Sequence, residues 1–435
     1  MIQAALSLLL PSLAAEEPGP LPSAPETLLS PHALRVRAAP STDSAVVGLI
    51  AANAPFLVLL RVPGPACGSE GSPSDTVPWG IVPGGYACLG GTTAADEKPS
   101  PLPHLVPFDA PTPDEYRSYV STGSWPRDPA TTEALTPFIY GKSWRHWDGE
   151  TYADLGAWDR GDGPLTQIES GAAAHFIRAI ETLRGPVLEL PGGAVVPLDD
   201  VYIYPVSRFH GVEITGEDAL SDGELQAWVH VYGGASLRAL PTVSSEKRGT
   251  LPFQTAVRVT PTADPHWLRT RDGGFIASST LRRALPQPRP EGLPPEALWI
   301  DVDVAEQVLM LLQGERLVFA TMVSTGLTDK ATPPGVYTLS DKAIYADMGS
   351  RADAAPEETY LVEAVPWIMH FAPRYALHVA FWHWGFGNRA SHGCVNMAPL
   401  DARRIFDAVS PYLPDGWSSA TSGAGSPVGT TIRIR

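Results

Sequence analysis

From Leu298 to Val304 the chain reads Leu-Trp-Ile-Asp-Val-Asp-Val. Apolar and polar positions alternate there, which is the period of a half-buried strand. A second β-rich run, Arg316 to Ser324, follows the turn Gln313-Gly314-Glu315, so this region is expected to open with a hairpin. Further strand-like runs lie at Gly335 to Leu339 and Tyr360 to Val365, and Thr430 to Arg435 reads as a closing strand. Pro399 to Leu413 differs: Leu400, Ile405, Phe406, Val409 and Leu413 fall on one face at helical spacing, which predicts the main helix of the region. The proline-rich stretch Arg282 to Pro295 marks a domain boundary ahead of it.

Upstream the pattern repeats. Val36-Arg37-Ala38-Ala39-Pro40-Ser41-Thr42 recurs 201 positions later as Leu237-Arg238-Ala239-Leu240-Pro241-Thr242-Val243. Each copy leads into a β-rich run and then a Trp before a Gly-Gly-aromatic turn: Trp79 with Gly84-Gly85-Tyr86, and Trp267 with Gly273-Gly274-Phe275. That order suits a small, strongly bent barrel, glycine permitting the corners. It resembles bacterial Src-homology-3-like modules, which implies either binding of wall peptides or glycans, or bracing of a neighbouring domain. A weaker relative lies at Gly185 to Val201. Between the copies, Trp125, Trp144, Trp147 and Trp158 sit among Gly-rich turns with no readable function, and Gly171 to Leu183 fits a helix or a strand.

Composition narrows the partners. In 435 residues, 40 Gly and 45 Pro make about a fifth of the chain, against an average near 12%. The 44% hydrophobic content and 12 Trp argue against disorder and for many short strands joined by turns. A net charge of −16 leaves no global positive field for nucleic acid. Met1 to Ala15 carries a short apolar run and a small-residue ending, which predicts a signal peptide and an exported protein of the periplasm or cell wall. No 18-residue apolar run suggests a transmembrane segment. Glu16 to Pro31 reads as a linker. In an oxidising compartment Cys67 and Cys88 are a disulfide candidate, two unpaired thiols being the alternative.

The third cysteine carries the chemistry. His370, His378, His383 and His392 fall within 23 residues, and Cys394 lies two positions beyond the last. A thiol is a useful nucleophile as thiolate, and a nearby imidazole can take its proton. Gly393 lets the backbone turn sharply, so that amide N–H groups can face an oxyanion. Cys, His and a Gly corner therefore form a coherent acyl-transfer site. Ser391-His392-Gly393-Cys394-Val395-Asn396, with His378 sixteen residues before the cysteine, resembles the signature of the L,D-transpeptidases of the YkuD type. Val365-Pro366-Trp367, Tyr375-Ala376-Leu377, Thr332-Pro333-Pro334-Gly335 and Ala398-Pro399-Leu400-Asp401-Ala402 extend the likeness over about 140 residues.

The resemblance implies Cys394 as nucleophile, His378 as general base, His392 shaping and polarising the site, and the Gly393 and Cys394 amides as oxyanion donors. Ser391, Asn396, Trp382, Trp384 and Tyr345 are the substrate-binding candidates. Val379 follows the histidine where many relatives carry Gly or Ser, of little consequence if only its carbonyl orients the imidazole; the third triad member stays open. The implied reaction attacks the third residue of a peptidoglycan tetrapeptide stem, releases D-alanine and forms a thioester. An amine of a second stem resolves it to a 3→3 crosslink, or water to a tripeptide. Neither needs a metal or organic cofactor, and carbapenems would acylate Cys394.

Blander readings stand beside this one. His378, His383, His392 and Cys394 are also zinc-ligand types, but no H-x-x-x-H or C-x-x-C element frames them. His370 and His383 read as structural, Trp367, Trp382 and Trp384 as packing, and Met369 and Met397 as core. A wall-binding or scaffolding protein whose catalytic domain is inactive or an L,D-carboxypeptidase is the alternative function. The expected fold is mainly β: barrels over 33–92 and 226–285, a β-rich middle domain over 93–225, and a β-sandwich catalytic domain with one main helix over 296–435, after a signal peptide at 1–15 and a linker at 16–32.

Overall fold

The apolar run Val308–Gln313 lies at the centre of the carboxy-terminal region. In this computed structural model, which describes residues 25–65, 67, 79–96, 98, 135–143, 149–168, 173–216, 219–349, 361–423 and 428–435, it pairs antiparallel with both Leu298–Asp303 and Arg316–Met322. The expected opening hairpin is thus a three-stranded meander. Its middle strand shows no alternation because both of its faces are buried. Leu309 and Leu311 join Ile300 and Val302 in one core, while Val308, Met310 and Leu312 join Trp299 in another. Thr431–Ile434 pairs in parallel with Leu298–Asp303 and antiparallel with Gly335–Thr338, completing with Val212–Glu213 a six-stranded sheet.

Across the first core lies a ten-stranded sheet. Its order begins Val395–Met397, Tyr375–Val379, Leu361–Ala372, Asp341–Gly349, Trp417–Thr421. Trp367, Met369, Leu377, Val379 and Val395 face Ile300 and Leu311 from this side, giving the sandwich its interior. The helix Pro399–Ala408 starts with proline in its first turn and buries Ala402, Ile405 and Phe406 in the same core. It stops short of Leu413 because Val409 is already extended and Pro411 has no N–H for another turn. Lys342, buried beneath it, donates to Phe406 O (2.7 Å) and Val409 O (2.9 Å), satisfying carbonyls that the helix end leaves open. Burial lowers that ammonium to about 8.

The two sequence repeats share one local geometry. In the first, Val36 pairs with Gly48 and Arg37 with Val46 across a bulge; in the second, Leu237 pairs with Gly249 and Arg238 with Lys247 across another. Arg37 donates to Ser44 O and Arg238 to Ser245 O, each at 2.6 Å. Their surroundings differ. The second copy lies in a seven-stranded sheet running from Leu225–Val229 to Leu281–Arg283. The first copy continues the ten-stranded sheet, because Val46–Ile50 pairs with Trp417–Thr421. Gly48 permits this: a Cβ there would lie 2.2 Å from the Trp417 ring. The described end of the expected linker is corrected, since Glu26–Leu29 is a strand on Phe56–Val58, with Leu28 buried.

In the middle region, Ile139–Ser143 is flanked by Ala173–Phe176 and Val201–Ile203. The described part of 171–183 is therefore strand, not helix. Cys67 and Cys88 form a disulfide. The signal-peptide segment 1–15 and Trp125, Trp144 and Trp147 lie outside the described residues. Among the described residues no helix is long and apolar enough to cross a membrane.

One buried charge ties the six-stranded sheet together. Asp301, 0% exposed, accepts from Arg433 (2.9 and 2.8 Å) on the adjacent last strand and from Arg435 just beyond it. Asp301→Ala would leave two guanidinium groups without their shared partner and should cost about 3–5 kcal/mol. A lowered urea midpoint for unfolding of the carboxy-terminal domain checks this; an unchanged midpoint would contradict it.

Candidate active site

Parallel pairing of Tyr375–Val379 with Val395–Met397 sets His378 opposite Asn396, so Cys394, one residue before that strand, lies beside the histidine strand. The turn before the cysteine is held from within. Ser391 Oγ donates to Cys394 O at 2.5 Å and accepts the Gly393 N–H at 3.1 Å. Gly393 has φ +120°, and a Cβ there would lie 2.6 Å from the Tyr375 ring, so both conformation and space require glycine. Because the Gly393 amide is occupied by Ser391, the Cys394 amide is the better placed of the two oxyanion candidates.

His378 is 3% exposed, and its Nδ1 lies 2.8 Å from Val379 O. Only an N–H can be presented to a carbonyl, so Nδ1 carries the proton and Nε2 keeps its lone pair. The backbone of Val379 thus orients the imidazole whatever side chain it bears. Burial pulls the His378 imidazolium down to about 4, the carbonyl contact opposing this in part. Burial also raises the Cys394 thiol, with the Ala376 backbone holding it partly down. In the resting protein both partners are therefore neutral at neutral pH: a free imidazole lone pair and a protonated thiol.

His378, Cys394, His392, Ser391, Asn396 and Trp382 line one cavity of about 870 Å³. Tyr345 and Trp384 do not line it. Tyr345 is 41% exposed and packs its ring on Phe138; Trp384 is 40% exposed and packs on Tyr232 and Phe253 of the second repeat. His383 does not line it either: its Nδ1 accepts the Gly385 N–H (3.3 Å) and its Nε2 meets the Asn396 side-chain amide (3.2 Å). His370 pairs with Asp341 at 2.8 Å. Among the described residues no group of three His, Cys, Asp or Glu is placed to hold a metal ion.

Sequence reasoning missed the outer parts of the site. Lys142 and Tyr204, from the middle region, line the cavity, as do Lys330, Arg374 and Asp347. No motif signalled them, because neither flanking composition nor spacing distinguishes Lys142 from a surface lysine. The second repeat holds the loop that leads to Cys394: Arg282 Nε donates to Gly387 O (2.7 Å), Gln254 Nε2 to Trp384 O (2.8 Å), and His230 meets Asn388 Oδ1 (3.3 Å).

Comparison with known proteins finds a likeness at this end of the chain. The family model of the L,D-transpeptidase catalytic domain, YkuD, matches residues 297–434. No curated protein matches the chain. Among solved structures, an Enterococcus faecium L,D-transpeptidase variant is 19% identical over 32% of this chain and 50% of its own, with a TM-score of 0.25. L,D-transpeptidase 3 from Mycobacterium tuberculosis, in complex with a faropenem-derived adduct, is 15% identical over 37% of this chain and 72% of its own, TM-score 0.26. The L,D-transpeptidase LdtMt1, in complex with imipenem, is 18% identical over 54% and 90%, TM-score 0.27. The matched part spans about half the length of the Enterococcus protein. Residues 297–434 are thus an L,D-transpeptidase catalytic domain of the YkuD type.

Proposed function

We propose that the protein is a peptidoglycan L,D-transpeptidase in which Cys394 is the nucleophile and His378 the base. The observation that carries this reading is the placement of His378: its Nδ1 lies 2.8 Å from Val379 O, which leaves Nε2 as the nitrogen free to take a proton, and His378 and Cys394 line the same cavity. As the thiol sulfur attacks the carbonyl of the third stem residue, its proton passes to Nε2. The oxyanion faces the Cys394 amide. Collapse breaks the bond to D-alanine, whose amine takes the proton back from His378, and leaves a thioester. The side-chain amine of a second stem then gives up a proton to His378 and attacks the thioester, regenerating the thiol with a 3→3 crosslink; water in its place yields a tripeptide.

His392 and Asn396 border the site, and Trp382 forms an apolar wall beside His378, 5.8 Å between ring centres. The repeats at 33–92 and 226–285 are read as Src-homology-3-like modules that brace the catalytic domain, the second through the loop around Gly387. Such a substrate lies outside the cytoplasm, which agrees with the apolar segment at Met1 to Ala15. No metal or organic cofactor enters this chemistry.

With a disaccharide tetrapeptide, wild type should release D-alanine and Cys394→Ala should release none; equal release from both would overturn the assignment of the nucleophile. His378→Gln should lower the rate by roughly 10²–10⁴. A carbapenem should add one adduct by mass spectrometry, absent from Cys394→Ala. The resting charge states give a separate expectation. Because the thiol is raised and His378 is already neutral above about 4, the thiolate fraction should grow steadily with pH. Iodoacetamide alkylation of Cys394 should therefore climb from about pH 6 to about pH 9. A rate independent of pH across the neutral range would mean a preformed thiolate–imidazolium pair instead.

A further inference from the structure

We propose that Lys142, outside the catalytic domain in sequence, is a recognition residue of the Cys394 cavity that binds a carboxylate of the incoming peptide, so that the middle region completes the active site. The placement follows from strand geometry. Along Ile139–Ser143 alternate side chains face opposite ways, so Tyr140 and Lys142 share a face. Ile139 on the other face is buried with Phe176 and Leu188 of the middle region. Tyr140 instead enters the core of the catalytic domain. It is 2% exposed, its ring stacks on Phe381 with centres 3.8 Å apart, and its hydroxyl donates to Ala364 O at 2.5 Å. With Tyr140 fixed there, Lys142 two residues on is directed to the same side, where it lines the cavity with Cys394 and His378.

Aromatic rings hold the lysine in place. Lys142 stands directly opposite Tyr202 in the strand register, and its ammonium lies 5.4 Å from the centre of the Tyr202 ring and 5.6 Å from that of Tyr204. Among the described residues no carboxylate pairs with it. Among the described residues that line the cavity the balance is cationic in a chain of net charge −16: Lys142, Lys330 and Arg374 stand against one carboxylate, Asp347. That carboxylate is engaged, since Asp347 Oδ1 accepts the Ala364 N–H at 2.9 Å. A concave site of one sign in a protein of the opposite sign focuses field on an anionic ligand. The stem peptide of the proposed reaction supplies such a ligand through its free carboxylates. That identification rests on the transpeptidase reading, whereas the anion site does not.

The test uses the full chain and Cys394 as its own reporter. Iodoacetate and iodoacetamide alkylate the same sulfur with loss of iodide, and differ in charge. The ratio of their rates should fall roughly 3–10-fold in Lys142→Met, further in Lys142→Glu, and return toward wild type in Lys142→Arg. Iodoacetamide rates should stay within about twofold, which controls for thiol reactivity and folding. In parallel, KM for a tetrapeptide donor should rise about tenfold in Lys142→Met with kcat little changed. A rate ratio that is the same in wild type, Lys142→Met and Lys142→Glu overturns the anion site. A ratio that falls as stated while wild type releases no D-alanine leaves the site standing and overturns the transpeptidase reading instead.

Discussion

The candidate site depends on one strand pairing. Tyr375–Val379 and Val395–Met397 run in parallel, and a parallel pair cannot be joined by a tight turn, so a long connection must leave one strand and return to the start of the other. That connection holds Trp382 to Gly393. Its path places the thiol at the entry of the second strand and the imidazole near the end of the first. A one-residue slip in this register would turn His378 to the opposite face and separate it from the cavity. The loop is accordingly fastened from several sides: Ser391 within the turn, Arg389 to Gly326 O and Val304 O, and Arg282 from the second repeat.

Burial then decides the chemistry available. An imidazole anchored by a carbonyl in an apolar strand stays neutral, and a thiol whose surroundings disfavour its charged form stays protonated. A protonated thiol is a poor target for chance oxidation, which favours thiolates. Strain is placed close by. Ala364 and Trp367, both at positive φ, bend Leu361–Ala372 where it meets the middle region, and Tyr140 and Asp347 each hold Ala364 by a backbone bond.

The legible parts of this architecture were those where one residue type admits one physical use. Gly393 between His392 and Cys394 was readable because little else than glycine turns there, and the main helix because a single buried face imposes its period. Val308–Gln313 was not readable as a strand: buried on both faces, it carries no alternation. Trp384 and Tyr345 are groove candidates by resemblance alone, yet the first packs on Tyr232 and Phe253 and the second on Phe138. Lys142 was invisible for a deeper reason. Its position depends on Tyr140 occupying a core more than 200 residues away in sequence, and no local pattern encodes such a distance.

The strand Trp417–Thr421 bears on how the chain is divided. It lies inside the segment that matches the catalytic family, yet one of its two neighbours, Val46–Ile50, lies near the other end of the chain. Excised at residue 297, the segment would present this strand as an open edge, a row of unpaired amides and carbonyls with Trp417 uncovered, which is a template for chain-to-chain association. It would also carry a vacant slot where Tyr140 stacks on Phe381. The segment that matches the family and the sheet it builds are therefore different objects in this protein: the first spans a third of the chain, the second reaches back to its first repeat.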